Sequence, residues 1–321
     1  MRALVTGIVG FAGSHLAAEL LDAGYELYGT QLQGESRQRL EGITSSISIS
    51  TVDLTDHAAT RRLVRRVKPD AIFHLAAISA VGYSFKNPRR TFDVNVNGTL
   101  HLLEALREIG TAKSIVVVTS SDVYGVVRPS DLPIKESTPL VPITPYGVSK
   151  AAADMLGYQY FRSYGLPIMR ARAFNHTGPK QDQGFVVADF CRQAALIESD
   201  RLRPVLTVGN LEAKRDISDV RDIVKGYRLI AENGKPGEVY NLCSGKSHRI
   251  KSILDNILKM ITLDVRIELD PKLLRPSEIP NLVGDLTRAR RAVGYKPKYE
   301  LTGTLADTLS YWRKAVRRNK I

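Results

Sequence analysis

The sequence has little of what stabilises a secreted, membrane or metal-binding protein. Its two cysteines, Cys191 and Cys243, are too few for a disulfide framework and have no neighbours at metal-ligand spacing. The six histidines, His74 and His176 among them, form no metal-binding pattern. No apolar run approaches the roughly 18 residues of a transmembrane helix, and the first predicted strand begins at residue 2, which leaves no room for a signal peptide. We therefore predict a cytoplasmic protein with reduced thiols, no metal site and no membrane contact.

Acidic residues are outnumbered by basic ones. The chain has 46 Lys and Arg against 33 Asp and Glu, a net charge of +13. Such an excess is typical of nucleic-acid-binding proteins, but here the basic residues are dispersed and no aromatic-interleaved RNA-binding signature accompanies them. We predict that no nucleic acid binds, and that the charge partly attracts a polyanionic small ligand and partly solvates helix faces.

The amino terminus carries the pattern of a dinucleotide site. Residues 2–6 read as a short buried strand, and an apolar-periodic helix is predicted from about 14 to 23. Glycines between them permit a tight turn and let the backbone approach a pyrophosphate, which then lies at the helix N-terminus. The predicted cofactor-binding turn comprises Gly7, Gly10, Phe11, Ala12 and Gly13, with Gly-x-x-Gly-x-x-Gly spacing.

A hydroxyl cluster follows the strand predicted over 115–120. Apolar and β-branched residues lead directly into Ser120 and Ser121, so that one of these serines stands at the carboxyl end of a buried strand. Open parallel sheets bind their ligands at that end. We predict that a serine there, Ser120 or Ser121, hydrogen-bonds a reacting carbonyl oxygen; capping of the strand end is the structural alternative.

Tyr146 and Lys150 are the second part of the candidate catalytic site. They are four residues apart, so on a helix both side chains lie on one face. A lysine ammonium held there is expected to lower the pKa of the phenol from about 10. A phenol tuned in this way can act as general acid or base for hydride chemistry at a carbonyl.

Strands and helices alternate through about residue 170. Strands are predicted near 2–6, 26–30, 48–52, 71–75, 115–120 and 167–172, an alternation typical of a doubly wound parallel sheet. Helices are predicted in the less regular second half near 187–199, 219–232, 249–262 and 303–317. We predict an α/β protein with a Rossmann-type dinucleotide-binding domain over 1–170 and a smaller, mainly substrate-binding α/β lobe over 171–321.

With these motifs the chain resembles the extended short-chain dehydrogenases/reductases, and the resemblance covers nearly its whole length. Besides the glycine turn and the Ser120, Tyr146 and Lys150 set, the shared motifs include Asp53-Leu54, His74-Leu75-Ala76-Ala77, Asn95 and Arg215-Asp216. The stretches 174–179, 208–212, 241–245 and 274–278 are similar to the GDP-mannose 4,6-dehydratase and GDP-4-keto-6-deoxy-mannose reductase group.

The resemblance implies roles for residues that spacing alone does not assign. It implies that the cofactor is bound by Asp53, Leu54, Leu75, Ala76, Ala77 and Asn95, besides the glycine turn, Tyr146 and Lys150. It implies that a GDP-linked sugar is bound by Ser120, Asn175, Arg215, Arg275 and Glu278, with the arginines on the diphosphate. It also implies that later segments return to the first domain, and that helical stretches 90–108 and 148–163 pair in a homodimer or dimer of dimers. Ile217 departs from the pattern, because the group generally has an aromatic residue there.

The end of the second predicted strand lacks the carboxylate that NAD sites usually offer to the ribose 2′-hydroxyl. Gln31 stands there, followed by Glu35, Arg37 and Arg39. One of the arginines could pair with a 2′-phosphate. We predict NADP(H) as cofactor, with NAD(H) as the alternative.

Asp122 helps to distinguish between the reactions that the resemblance allows. Dehydratases of the group carry a glutamate two residues after the catalytic Ser or Thr, and Asp122 is one methylene shorter. The sequence therefore favours an NADPH-dependent reductase of a GDP-4-keto-6-deoxy-hexose, in which Asp122 could serve as an N-cap or turn residue. A GDP-mannose 4,6-dehydratase is the first alternative and a nucleotide-sugar 4-epimerase the second. A non-catalytic NADP-sensing or RNA-binding protein is disfavoured, because such relatives typically lose the Tyr or Lys.

Overall fold

The computed structural model describes residues 1–274 and 279–318. The strands are β1 (Arg2–Thr6), β2 (Glu26–Gln31), β3 (Ile47–Thr51), β4 (Ala71–His74), β5 (Ser114–Ser120), β6 (Ile168–Ala173), β7 (Asn175–Thr177), β8 (Val205–Val208), β9 (Lys214–Asp219), β10 (Val239–Leu242), β11 (Ser247–Arg249), β12 (Arg266–Leu269) and β13 (Asn281–Leu282). The helices are α1 (Phe11–Asp22), α2 (His57–Val67), α3 (Val81–Lys86), α4 (Pro88–Phe92), α5 (Gly98–Ile109), α6 (Pro145–Tyr164), α7 (Val186–Glu198), α8 (Val220–Asn233), α9 (Ile250–Leu258), α10 (Thr287–Val293) and α11 (Leu301–Arg317).

A seven-stranded parallel sheet forms the centre of the described chain, with the strand order β10-β6-β5-β4-β1-β2-β3. The predicted doubly wound sheet is therefore confirmed, and its six predicted strands lie within about one residue of their expected positions. The order reverses between β1 and β4, and ligands bind parallel sheets at such switch points. The seventh strand, β10, was not predicted, because the polar Asn241 interrupts its short apolar run.

Helices cover both faces of this sheet. On β5, the side chains of Val116 and Val118 pack in the layer under α1, α8 and α10. Ile115 and Val117 pack in the opposite layer with α2, α5 and α6. Burial on both faces explains why β5 reads as an unbroken apolar run.

The remaining elements form a second, smaller core. Helices α7, α9 and α11 pack around β8 and β9, with Phe190, Leu254 and Trp312 among the buried residues. β9 pairs with β11, β13 and β7, and β8 pairs with β12. Three elements from the second half of the chain belong to the large sheet instead: β10 is one of its strands, and α8 and α10 pack on it. Within the described ranges, no helix is long and apolar enough to cross a membrane.

Candidate active site

A cavity of about 960 Å³ opens above the carboxyl ends of the central strands and extends to the second core. It is lined by the predicted residues Gly7, Gly10, Phe11, Ala12, Gly13, Asp53, Leu54, Leu75, Ala76, Ala77, Ser120, Tyr146, Lys150, Asn175 and Arg215. The fold thus brings together motifs from nearly the whole length of the chain. A cavity of this size at a switch point is typical of a cofactor-binding cleft.

The glycine turn brings β1 and α1 into close contact. Gly7 has a φ of +71°, and a Cβ there would lie 3.0 Å from the Cα of Ala76. A Cβ on Gly13 would lie 2.2 Å from the Gly7 carbonyl oxygen. α1 begins at Phe11, three residues earlier than predicted, after Gly10, which offers no capping side chain. The first N–H groups of α1 therefore remain for an anion such as a pyrophosphate.

Asp53 and the end of β2 line the part of the cavity away from Ser120 and Tyr146. Asp53 accepts hydrogen bonds from the Thr55 N–H at 2.9 Å and from Arg90 Nη2 at 3.2 Å. Burial raises the pKa of Asp53, but the hydrogen bonds from Thr55 and Arg90 outweigh it, so the pKa lies below its usual value. The carboxylate is therefore ionised and fixed in orientation.

The two candidate arginines after β2 have different partners. Arg37 Nε donates to Gln31 Oε1 at 2.8 Å, which places it at the end of β2. Arg39 Nε donates to the carbonyl of Lys180 at 3.0 Å, and its guanidinium also pairs with Asp182. Arg39 therefore joins the cofactor side of the cleft to the loop after β7. Of the two, Arg37 lies nearer the end of β2, although neither arginine lines the cavity itself.

Helix α6 carries the candidate catalytic tyrosine in its first turn. Thr144 caps the helix by accepting from the Gly147 N–H at 2.9 Å, and Pro145 occupies the first helical position. These signals start α6 three residues before its predicted start, so Tyr146 and Lys150 are both helical. Tyr146 lies next to Ser120 at the end of β5, close enough for Ser120 to lower the pKa of the phenol.

The predicted effect of Lys150 on Tyr146 is wrong in this structure. Burial raises the pKa of Tyr146, the charge of Asp122 raises it further, and the hydrogen bond with Ser120 lowers it only in part. The ammonium of Lys150 donates instead to the carbonyl of Val118 at 2.7 Å. Burial lowers the pKa of Lys150 to about 8. Tyr146 is therefore a neutral phenol near neutral pH, suited to donating a proton.

Asp122 lies in the cavity wall and not at a helix cap. The short 3₁₀ turn Ser121–Tyr124 is capped by Ser120, whose Oγ accepts from the Asp122 N–H at 3.2 Å. Of the two predicted roles, the N-cap belongs to Ser120, while Asp122 lies in the turn itself. The carboxylate lines the cavity and acts electrostatically on Tyr146.

Asn95 lies behind the cavity wall, although the resemblance assigned it to the cofactor. It is buried in a π-helical turn, Asp93–Asn97, that joins α4 to α5. Its Oδ1 accepts from the Ile78 N–H at 2.8 Å, and its Nδ2 donates to Ser149 Oγ at 2.9 Å. Asn95 therefore supports the 78–83 segment and helix α6 and does not line the cavity itself.

Besides Ser120, two described residues assigned to the substrate lie near the second core. Asn175 opens β7, and Arg215 on β9 donates to the carbonyls of Lys214 at 2.9 Å and Ile279 at 2.6 Å. Arg275 and Glu278 lie outside the described residues. Ile217, the departure from the group's pattern, is buried in the second core and is not in the cavity wall.

Some lining residues escaped the sequence analysis. The segment 78–83 forms a mostly apolar wall, and the loop 181–185 closes the opposite side. His176 also lines the cavity, with its ring stacked on Phe11 at 6.0 Å between centroids. These segments face the cavity through tertiary contacts alone, so no sequence spacing predicts them, although Gly178 precedes the loop and Gly184 lies within it. Among the residues described, no three His, Cys, Asp or Glu side chains form a metal-binding group.

Comparison with known proteins agrees with this geometry. The profile of the family described as GDP-mannose 4,6 dehydratase matches residues 4–308. A GDP-6-deoxy-D-mannose reductase from Pseudomonas aeruginosa is 34% identical over 98% of this chain and 98% of its own length. GDP-mannose 4,6 dehydratase 1 from Arabidopsis thaliana is 35% identical over 92% of this chain and 85% of its own. The solved structure of RMD from Pseudomonas aeruginosa complexed with NADPH is 32% identical, covers 98% of this chain and 99% of its own, and has a TM-score of 0.84. The chain therefore belongs to the GDP-mannose 4,6-dehydratase family of extended short-chain dehydrogenases/reductases.

Proposed function

We propose that this protein is an NADPH-dependent reductase of the C4 ketone in a GDP-linked 4-keto-6-deoxy-hexose, acting in the cytosol. The observation that carries the proposal is the short carboxylate of Asp122 beside a neutral Tyr146. A reductase needs one proton donor at the new alcohol, and Tyr146 supplies it. A dehydratase needs further acid and base groups at C5 and C6, where a displacement near 1 Å costs on the order of 100-fold.

The chain's own residues fit NADPH as cofactor. The glycine turn and the first turn of α1 offer N–H groups to the pyrophosphate. Gln31 brings no negative charge to the 2′-phosphate, and Arg37 at its side brings a positive one. The solved structure of RMD from Pseudomonas aeruginosa is complexed with NADPH, which supports the same choice.

Bound NADPH would supply a hydride to C4 of the sugar. The hydroxyl of Tyr146 protonates the oxygen of the former ketone as negative charge develops on it. Ser120 hydrogen-bonds that oxygen and holds it beside the phenol. The ammonium of Lys150 holds the nicotinamide ribose. Asn175 and Arg215 bind the sugar and the diphosphate.

A GDP-mannose 4,6-dehydratase is the second candidate. Its support is that the Asp122 carboxylate lines the cavity close to Tyr146. An acid or base for the C5–C6 bond would have to lie in the same place. The relative from Arabidopsis thaliana carries that name. The two candidates differ in whether a proton passes through Asp122.

One experiment separates them. The protein is incubated with GDP-mannose alone, and separately with the 4-keto-6-deoxy product plus NADPH, while absorbance of the reduced nicotinamide is followed. We expect NADPH oxidation only with the keto-sugar, and Asp122→Asn to stay within about tenfold of the wild type. Keto-sugar formed from GDP-mannose, and abolished in Asp122→Asn, would establish the dehydratase and refute our proposal.

We also propose that the protein is a homodimer or dimer of dimers. An exposed apolar stripe follows one face of α6, with Val148 40%, Met155 59% and Tyr158 47% accessible. Two-fold pairing of this face with that of a second copy would bury the stripe.

A further inference from the structure

Three consecutive residues of β5 contact three residues of α6 that are spaced by one helical turn. The contacts join Val118 O to Lys150 Nζ at 2.7 Å and Thr119 Oγ1 to Asp154 Oδ2 at 3.2 Å, and Ser120 lies close enough to Tyr146 to lower the pKa of its phenol. Positions 146, 150 and 154 share one face of the helix. Two of these contacts belong to the proposed catalytic groups. The third, between Thr119 and Asp154, has no role in the proposed chemistry.

Asp154 is among the most buried carboxylates described, at 1% exposure. Arg172 donates to both of its oxygens from Nε and Nη2, each at 2.9 Å. Arg170 donates to it from Nη1, also at 2.9 Å. Burial raises the pKa of Asp154, but the two arginines lower it below its usual value. Asp154 is therefore a fixed anion that joins α6 to β6.

Thr119 links this anion to the strand that ends in the catalytic serine. Its hydroxyl also lies 3.4 Å from the carbonyl of Ala171 on β6. The hydroxyl proton is therefore shared between the Asp154 carboxylate and this carbonyl. Ser120 is the next residue and the last of β5, and it pairs with Ala173 at the end of the ladder with β6. A shift of Thr119 along α6 would move Ser120 relative to Tyr146 by a similar distance.

We propose that Asp154 is a positioning residue of the active site, which acts through Thr119 to hold Ser120 in register with Tyr146 and Lys150. The inference rests on the proposed catalytic use of those three residues. A buried ion pair often adds little net stability, because desolvation of the charges offsets their attraction, which leaves the orientation of Thr119 as the proposed contribution of Asp154. The register matters because a displacement near 1 Å in a catalytic site costs on the order of 100-fold.

The test uses Thr119, because Asp154→Asn would leave Arg170 and Arg172 without their buried anion and is expected to destabilise the fold. Thr119→Val keeps the shape and the ion pairs and removes only the hydroxyl. Thr119→Ser restores the hydroxyl and is the conservative rescue. Thr308→Val is the matched control: Thr308 is equally buried, its hydroxyl donates to the Thr304 carbonyl at 2.7 Å, and α11 does not line the cavity.

Steady-state kinetics with the substrate that the wild type turns over is the first readout. We expect Thr119→Val to lower kcat by about tenfold to 100-fold while KM for NADPH stays within about twofold. Thr119→Ser and Thr308→Val should match the wild type. A kcat for Thr119→Val within about twofold of the wild type, or an equal loss in Thr119→Ser, would overturn the proposal.

Amide hydrogen exchange is the second readout and needs no turnover. We expect Thr119→Val to raise exchange in residues 118–121 and in the first two turns of α6, and Thr308→Val to leave both segments unchanged. Equal exchange in both variants would overturn the positioning role. If the wild type reduces or dehydrates neither sugar, the proposed function fails, and the exchange measurement still decides whether Asp154 and Thr119 hold the strand end.

Discussion

Replacing Gly13 by alanine should weaken cofactor binding without lowering the helix propensity of α1. Gly13 is the third residue of α1, and its added Cβ would lie 2.2 Å from the Gly7 carbonyl oxygen. Real Cβ atoms essentially never come closer than 3.0 Å, so the glycine turn would have to move by about 0.8 Å. Misplacement near 1 Å costs on the order of 100-fold, or about 2.7 kcal/mol, in a positioned site. We therefore expect the Kd for NADPH to rise about 100-fold.

Gly303→Ala is the matched control. Gly303 is also the third residue of a helix, α11, and a Cβ there meets no heavy atom within 4 Å. Alanine is favoured over glycine in a helix by about 1 kcal/mol, so helix propensity alone predicts that both variants are stabilised. We expect Gly303→Ala to raise the Tm by a few degrees and to bind NADPH like the wild type.

The assay is a fluorescence titration with NADPH, with thermal unfolding of the cofactor-free protein beside it. A Kd for Gly13→Ala within about threefold of the wild type would refute the assignment of the turn to the pyrophosphate. An equal loss of affinity in Gly13→Ala and Gly303→Ala would show that a change in the helices, and not the close approach to Gly7, is responsible.

Three further outcomes are expected. Tyr146→Phe removes the proton donor and should lower turnover by about 100-fold or more with NADPH affinity retained; near-normal turnover would contradict the mechanism. Because burial lowers the pKa of Lys150 to about 8, the lysine is charged below that pH and neutral above it, so kcat should fall as pH rises through about 8. Lys150→Arg, charged at any accessible pH, should shift that decline to higher pH, and an unchanged profile would exclude Lys150 as its cause. Met155→Glu places a charge on the exposed face of α6 and should convert the dimer to a monomer in light scattering, whereas a wild type that is already monomeric would contradict the proposed assembly.

The sequence predicted the parts of the site that local patterns determine. The glycine turn, the strand end at Ser120 and the Tyr146–Lys150 spacing are each contained in a short segment, and the structure brings all three to one cavity. The pKa of Tyr146 could not be predicted in this way. It depends on burial and on Asp122, whose approach is a property of the packed cavity and not of the spacing to Lys150.

The start of one helix and the role of one residue also differ from what the sequence predicts. The start of α6 was placed at 148, although the Thr144 cap and Pro145 were visible signals for an earlier start. The role of Asn95 was carried over from the resemblance, but the π-helical turn directs its amide to Ile78 and Ser149. A π turn has no clear sequence signature, so only the structure shows it.

The late position of α8 and β10 in the chain has a consequence for folding during synthesis. β6 is an edge strand until β10 pairs with it, and α8 supplies Val220, Val224 and Tyr227 to the core layer over the sheet. When residue 170 leaves the ribosome, the nascent chain therefore has an unpaired strand edge and an uncovered apolar face. Such surfaces are prone to aggregation. A fragment ending near residue 170 should not fold into a stable dinucleotide-binding domain, and the large sheet can be completed only after about three quarters of the chain has been made.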